Sequence, residues 1–337
     1  MPGRQIDLFP DQAPEAEILL PEQLALDYKL TGNPIRQLLK PKQTVTATFH
    51  IQQIGRRKLP VATVGDEEVL ITTKPLSSDI PDGMLALRIL GSSSSDLQQI
   101  IEELKSPQAN TKWLKPTAIT AADEPPEAQQ RTNSVVTSWQ DAFHYHEENI
   151  QTGSSGLRIP QMGALHAVLA HWSVAPEDPA SVVMPTGTGK TDTMLALLIN
   201  RQTNHLLVVV PTNALRDQIA RKFETLDVLQ ASGVVSDNIQ HPIVGRIKHR
   251  FETIEDAEQF INSCNVVVTT MAAVNACSDE VRQKIAELCP NLIIDEAHHV
   301  SAPSWDAFRQ QFNGKPILQF TATPFRNDGK YVGGKII

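Results

Sequence analysis

Met184-Pro185-Thr186-Gly187-Thr188-Gly189-Lys190-Thr191 is the stretch that decides how this chain is read. It follows an apolar run at 181–184 and opens a helix-patterned run at 191–200. Strand, glycine-rich loop ending in Gly-Lys-Thr, then helix is an arrangement that binds nucleotide phosphates. Glycines let backbone N–H groups turn toward a phosphate, and the helix N-terminus adds partial positive charge. Pro185, Thr186, Gly187, Thr188 and Gly189 form the cradle. Lys190 can reach the β- and γ-phosphates of ATP, and the Thr191 hydroxyl can ligate Mg2+. The general pattern opens on Gly, and Met184 stands there instead. A Gly/Thr-rich surface turn is the plain alternative, and the loop alone does not exclude it.

A second stretch does. Ile293-Ile294-Asp295-Glu296-Ala297-His298-His299 places two carboxylates at the end of an apolar run. Such a run reads as a buried parallel strand. Open α/β sheets bind ligands at the carboxyl ends of their strands. Asp295 fits the carboxylate that holds the water shell of Mg2+. Glu296 fits the group that positions or deprotonates an attacking water. By itself the pair also suits a helix start, where acid favours the macrodipole. Beside an upstream Gly-Lys-Thr loop, the chemical reading is the better one.

The chain now resembles a known family. The loop, the Asp295-Glu296-Ala297-His298 box and Phe320-Thr321-Ala322-Thr323-Pro324-Phe325-Arg326 resemble motifs I, II and III of superfamily 2 helicases of the DEAH-box kind. Residues 211–218 resemble motif Ia, 268–271 the Thr-containing motif after it, and 157–161 the upstream adenine-reading motif. The run 321–329 is most similar to the helicase (Res) subunits of type III restriction enzymes and their relatives in defence and repair. The resemblance spans about residues 135–337.

It implies a RecA-like fold and further roles. Gln161 would read adenine, accepting from N6 and donating to N7, with Arg158 supporting it or the phosphates. A helix-start Gln beside Pro160 is the alternative. His298, Thr321 and Thr323 would couple the nucleotide to movement, and His299 would pack or face solvent. Pro211, Thr212 and Thr270 would touch a nucleic-acid backbone, contacts that position a strand without reading its sequence. Arg216, or the cluster Arg246, Lys248, His249 and Arg250, would line a strand-binding track. For that cluster a solvated face is an equal explanation.

Composition is compatible with these roles. The chain has 337 residues, 41% apolar, enough for more than one core. No apolar run approaches the ~20 residues a membrane span needs, and the N-terminus lacks a signal-peptide core. Cys264, Cys277 and Cys289 show no metal-like spacing and read as buried thiols of a cytoplasmic protein. A net charge of −8 argues against holding nucleic acid by bulk charge, though not against a local track. His144-Tyr145-His146 reads as part of an aromatic packing helix, and no metal is assigned there.

The expected organisation is an extended lead at 1–20, a β-rich accessory domain at 21–115, a linker at 116–133 and a first RecA-like lobe at 134–337. In the accessory domain Val45, Ala47, Phe49 and Ile51 alternate with polar residues, and 61–64, 69–72 and 84–90 are strand candidates. Leu97, Ile100, Ile101 and Leu104 lie on one face of a helix at 94–105. Arg56-Arg57-Lys58 reads as a solvated turn. In the lobe, strand runs at 181–184, 205–210, 265–270, 292–295 and 317–321 alternate with helical patterns such as Leu215, Ile219, Phe223 and Leu226. That alternation predicts an α/β fold, a parallel sheet with helices on both faces. Each chemical motif begins where a strand ends, so all converge on one sheet edge.

The expected function is the ATP-binding lobe of a DNA helicase or translocase that uses Mg2+. Alternatives are an RNA helicase or an ATP-switched nucleic-acid sensor without unwinding. A nuclease or methylase subunit is a candidate partner. The resemblance also implies a second lobe carrying motifs IV to VI and an arginine finger, and no such run follows motif III here. An arginine finger is worth about 10³–10⁵ in rate in related systems. Residues 1–337 alone are therefore expected to bind Mg-ATP weakly, turn it over slowly and unwind nothing. Processive, ATP-dependent strand separation by this purified chain in a helicase assay would contradict that.

Overall fold

A strand buried on both faces needs an unbroken apolar run, and a half-buried one needs alternation. Both patterns are realised in the computed structural model, which describes residues 13–76, 80–81, 84–114, 118–226, 228–297, 303–325 and 333–337. In chain order come β1 (Glu15–Leu20), β2 (Gln23–Leu30), β3 (Asn33–Lys40), β4 (Gln43–Ile54), β5 (Arg57–Val64), β6 (Glu67–Thr72) and β7 (Leu85–Ile89). Then follow α1 (Leu97–Lys105), β8 (Thr111–Trp113), α2 (Pro125–Ser138), α3 (Ile159–Val174), β9 (Ala180–Val183), α4 (Lys190–Arg201), β10 (Leu206–Val210) and α5 (Asn213–Thr225). The remainder is β11 (Val244–Ile247), α6 (Ile254–Asn262), β12 (Val266–Thr270), α7 (Met271–Asn275), α8 (Asp279–Leu288), β13 (Leu292–Ile294), α9 (Pro303–Gln310), β14 (Ile317–Thr321) and β15 (Lys335–Ile336). No described helix is long and apolar enough to cross a membrane.

The chain divides into two units, Met1–Leu24 with Lys40–Ala118, and Ala25–Leu39 with Ile119–Ile337. The first holds a sheet in the order β1-β4-β5-β6-β7-β8, antiparallel except where β6 and β7 run parallel. Ala47 and Phe49 of β4 share a core with Ile100, Ile101 and Leu104 of α1. Val69 and Ile71 join that core while Leu70 joins a smaller one, as the two-residue period of a strand requires. The lead expected at 1–20 contributes β1 from Glu15 onward, with Ile18 and Leu20 buried.

The second unit holds the sheet order β15-β9-β14-β13-β10-β12-β11-β3-β2. From β15 to β11 every pairing is parallel. This is the α/β sheet expected from the alternation of strands and helices. Val183, Thr321, Ile294, Val210 and Thr270 all lie at or near strand ends on its carboxyl edge. The three cysteines are free and buried in this unit.

Two differences from expectation concern boundaries. Residues 25–39, assigned from sequence to the accessory domain, belong to the second unit. They form a hairpin whose β3 pairs antiparallel with β11. Its turn has positive φ at both Thr31 (49°) and Gly32 (81°), the signature of a tight two-residue hairpin loop. Leu26, Tyr28, Ile35 and Leu38 bury the hairpin, and Asp27, Lys29 and Arg36 between them stay partly exposed. Within the expected linker 116–133, α2 begins at Pro125. Pro125-Pro126 looks like a breaker, but the first helical turn tolerates proline because its N–H groups have no helical partner.

His241, just before β11, is 4% exposed, and its Nδ1 has no hydrogen-bond partner among the described residues. Gln37 Nε2 donates to its carbonyl over 2.9 Å. Burial pushes the imidazole down to about 4 from 6.5. The unfolded chain therefore binds a proton that the folded one refuses as pH falls from 6.5 toward 4. Stability is full above that window and drops within it, by on the order of 3 kcal/mol. His241→Leu should flatten the fall in Tm between pH 7 and pH 4.5, read by thermal unfolding. An unchanged pH profile would contradict the assignment.

Candidate nucleotide site

The phosphate-type loop is built where β9 ends. Met184 N donates to Thr321 O over 2.9 Å, extending the β9–β14 ladder by one residue. Met184 itself is 3% exposed, and Thr193 Oγ1 lies 3.8 Å from its sulfur. The residue that replaces the usual glycine is thus a core side chain, and the loop proper starts after it. Pro185, Thr186 and Gly187 are exposed. Thr188 folds back, its hydroxyl donating to Pro185 O over 2.7 Å. Gly187 (φ +83°) and Gly189 (φ +92°) adopt a backbone that side chains avoid. A Cβ on Gly189 would also overlap Gln161 Nε2 and crowd Arg158 and Asp192. Lys190 and Thr191 then open α4.

Across the sheet edge, β13 delivers the carboxylates. Asp295 N donates to Val209 O over 3.0 Å, fixing the strand end beside β10. The next residue, Glu296, turns sharply with φ +51°. For a non-glycine residue this conformation costs roughly 1–2 kcal/mol. That turn brings Glu296 Oε1 to 2.6 Å from Lys190 Nζ. Asp295 is 4% exposed, and its Oδ1 has no hydrogen-bond partner among the described residues. Burial first, then the Glu296 charge, pushes its carboxyl up to about 6, against the pull of Lys190.

Gln161 sits beneath the loop, 3% exposed. Its Oε1 accepts from Arg158 N (2.7 Å), and its Nε2 donates to Asp192 Oδ2 (2.8 Å). Arg158 Nη1 donates to Gly187 O (3.0 Å), and Arg158 Nη2 lies 3.6 Å from Asp192. Lys222 of α5 approaches the other Asp192 oxygen at 3.7 Å. Sequence reasoning missed Asp192. The available signal was a carboxylate in the first turn of α4, favourable to the helix dipole.

The remaining candidates fall on neighbouring strand ends. Thr321 Oγ1 donates to Thr323 O over 2.8 Å, closing a tight turn after β14. Thr323 Oγ1 donates to Phe325 O over 3.2 Å. His298, His299 and Arg326 lie outside the described residues. Pro211 precedes α5, and Thr212 caps it, accepting from Leu215 N (3.2 Å). Thr270 caps α7, accepting from Ala273 N, and is 3% exposed. Arg216 is 5% exposed and bound to Asn213 and Asp217. Arg246 is no solvated residue: it pairs with buried Glu224 at 2.6 Å. Burial pushes the Glu224 carboxyl up despite Arg246 beside it. Lys248 and Arg250 keep substantial exposure.

A parallel sheet with a Gly-Lys-Thr loop and an Asp-Glu strand end defines a RecA-like P-loop fold. Residues 154–326 match the family described as type III restriction enzyme, res subunit. That is more than half of the chain, and the chain belongs to this family. It carries a helicase-family domain of superfamily 2. No curated protein matches it. Among solved structures it is similar to the UvsW helicase of bacteriophage T4, with 15% identity, TM-score 0.38, and coverage of 64% of this chain and 67% of that one. It is also similar to the Type ISP restriction-modification enzyme LlaGI, solved with a DNA substrate mimic: 18% identity, TM-score 0.36, 54% of this chain and 19% of that. For the Hef helicase domain of Pyrococcus furiosus the values are 19%, 0.33, 47% and 32%.

The raised Asp295 carboxyl has a thermodynamic consequence. The folded chain holds a proton there up to about pH 6, whereas the unfolded chain releases it near 3.8. Stability attributable to this group is therefore greatest in acid and is lost as pH rises through that window. Asp295→Asn, measured without added nucleotide or Mg2+, should raise Tm at pH 8, and the gain should vanish below about pH 4. A variant less stable than the parent at pH 8 would contradict this reading.

Proposed function

We propose that this chain is the ATP-binding lobe of a superfamily 2 DNA helicase or translocase that couples Mg2+-dependent ATP hydrolysis to movement along DNA. The observation that carries the reading is the meeting of Lys190 and Glu296 beside buried Asp295. A cation, a carboxylate able to take a proton, and a second carboxylate with an oxygen unpartnered among the described residues stand at the mouth of a glycine loop. That set suits a nucleotide triphosphate with its metal. Thr191 and Asp295 would hold Mg2+, partly through water. When bound, the ion neutralises phosphate charge.

The chain's own residues do the rest. The loop N–H groups and Lys190 bind the β- and γ-phosphates. For that, Lys190 exchanges Glu296 for phosphate oxygen. The exchange leaves Glu296 able to orient a water and accept its proton. The water oxygen bonds to the γ-phosphorus as the bond to the β,γ-bridging oxygen breaks, and ADP leaves. Gln161 would read adenine by giving up its longest contact, Nε2 to Gly189 O at 3.5 Å. Its carbonyl oxygen keeps one lone pair beyond Arg158 N, and the N–H released from Gly189 O would donate while the other stays on Asp192. Thr321, Thr323 and His298 would couple the site to movement, and Pro211, Thr212, Arg216 and Thr270 would face the nucleic-acid backbone.

Lys190→Ala should weaken Mg-ATP binding about 10- to 100-fold, since it removes a charge-assisted contact. Glu296→Gln should bind ATP at least as tightly as the parent, because the competitor for Lys190 loses its charge. Its turnover should fall by about 10²-fold or more. Normal turnover in Glu296→Gln would remove Glu296 from its role. ATP hydrolysis should also rise with added DNA, and the rise should shrink with salt as phosphate contacts release counterions. Stimulation by RNA alone would favour an RNA helicase, and indifference to both would count against a nucleic-acid motor.

A further inference from the structure

The loop after β11 carries Lys248, His249 and Arg250 in succession. One side chain, 215 residues away in sequence, holds its main chain. Asn33 Oδ1 accepts from the N–H groups of both Lys248 (2.7 Å) and His249 (2.8 Å). Asn33 Nδ2 donates to His249 O over 3.2 Å. Asn33 is 0% exposed. The hairpin turn backs this clamp, since a Cβ on Gly32 would stand 3.3 Å from the His249 ring. Two acceptor bonds and one donor bond to a single loop are within the capacity of an Asn side chain and beyond that of Asp, Leu or Ala.

The clamp turns two loop N–H groups inward, so the loop meets an outside anion with side chains. A cavity of about 750 Å3 lies there, lined by Thr31, Asn213, Lys248, His249, Arg250 and Thr270 among others. Asn213 opens α5 after β10, and Thr270 ends β12, so the cavity borders the same carboxyl edge as the nucleotide loop. Its acids are already engaged. Glu252 pairs with Arg250 (3.0 Å), and Asp256 accepts from Thr253 N (3.1 Å). Lys248 lies 3.4 Å from Asp217, both partly exposed. Exposed pairs of this kind contribute little, so a polyanion can take the lysine over.

We propose that the hairpin 25–39 is a working wall of the nucleic-acid track, with Asn33 the positioning residue that presents the Lys248–His249–Arg250 loop to a phosphodiester backbone and Thr31 at the rim. The proposal rests on the nucleic-acid reading above and adds to it an element from the N-terminal part of the chain. Asn33 touches no nucleic acid itself. It acts through the loop, and its loss should resemble loss of the loop's charges.

The test is fluorescence anisotropy of a labelled single-stranded DNA oligonucleotide with the 337-residue chain across a salt series. Lys248→Ala with Arg250→Ala should lower the slope of log affinity against log salt by about 1–2. Asn33→Ala should weaken binding about tenfold at low salt and lower the slope similarly. The triple variant should bind no more weakly than the Lys248/Arg250 double variant, because the effects share one route. Mg-ATP affinity should stay within about twofold in all of them, as the nucleotide loop is untouched. Unchanged DNA affinity and slope in the double variant would overturn the proposal even if Asn33→Ala proved unstable. Additive losses from Asn33 and the two basic residues would overturn it as well. DNA binding that no variant alters removes the proposal and leaves the nucleic-acid reading standing. Failure of the parent chain to bind any nucleic acid removes both.

Discussion

Lys190 and Glu296 meet at 2.6 Å across 106 residues of sequence. Both stand at the edge of an element rather than within one. Lys190 is the first residue of α4, and Glu296 is two residues past the end of β13. Their meeting depends on β9, β14, β13 and β10 standing side by side, in parallel, with ends nearly level. A one-residue slip of any of those strands would carry a functional end residue to the other face of the sheet. The buried apolar runs in these strands therefore do more than fill a core. They set the register that makes the site.

The site also stores strain that the core must offset. Gly187 and Gly189 use backbone that other residues avoid, and Glu296 uses it without being glycine. Asp295 is a buried carboxylate pushed upward in pKa by burial and by the neighbouring Glu296 charge. Such local penalties cluster where a protein pre-arranges groups for a ligand. Around them the strands are almost wholly buried: every residue of β10, β12, β13 and β14 is below the surface. Rigid strands with strained ends are a physical division of labour. The sheet supplies position, and the proposed chemistry falls to the ends.

The parallel sheet was legible because continuous apolar runs ending in Gly-Lys-Thr, Asp-Glu and Thr-Ala-Thr are local patterns. The family was legible from the same motifs. What escaped the sequence is non-local. The hairpin at 25–39 alternates buried and partly exposed residues as a strand does, but nothing local tells that its β3 pairs with the distant β11. β11 itself has four residues, one of them the buried Arg246, whose burial makes sense only once Glu224 of α5 is beside it. Asp192 looked like an ordinary helix-start acid until Gln161, Arg158 and Lys222 closed around it. In each case the partner that explains the residue lies on another element.

In the function proposed above, the Lys190–Glu296 contact marks the place of a nucleotide's phosphates, and Glu296 gives up the lysine when they bind. A crystal structure of this chain with Mg2+ and a non-hydrolysable ATP analogue tests it most directly. Phosphates are expected in the 185–191 loop, with Lys190 Nζ bonded to phosphate oxygen and parted from Glu296, and Asp295 facing the metal's water shell. A bound analogue elsewhere on the chain, with the Lys190–Glu296 contact intact, would contradict it.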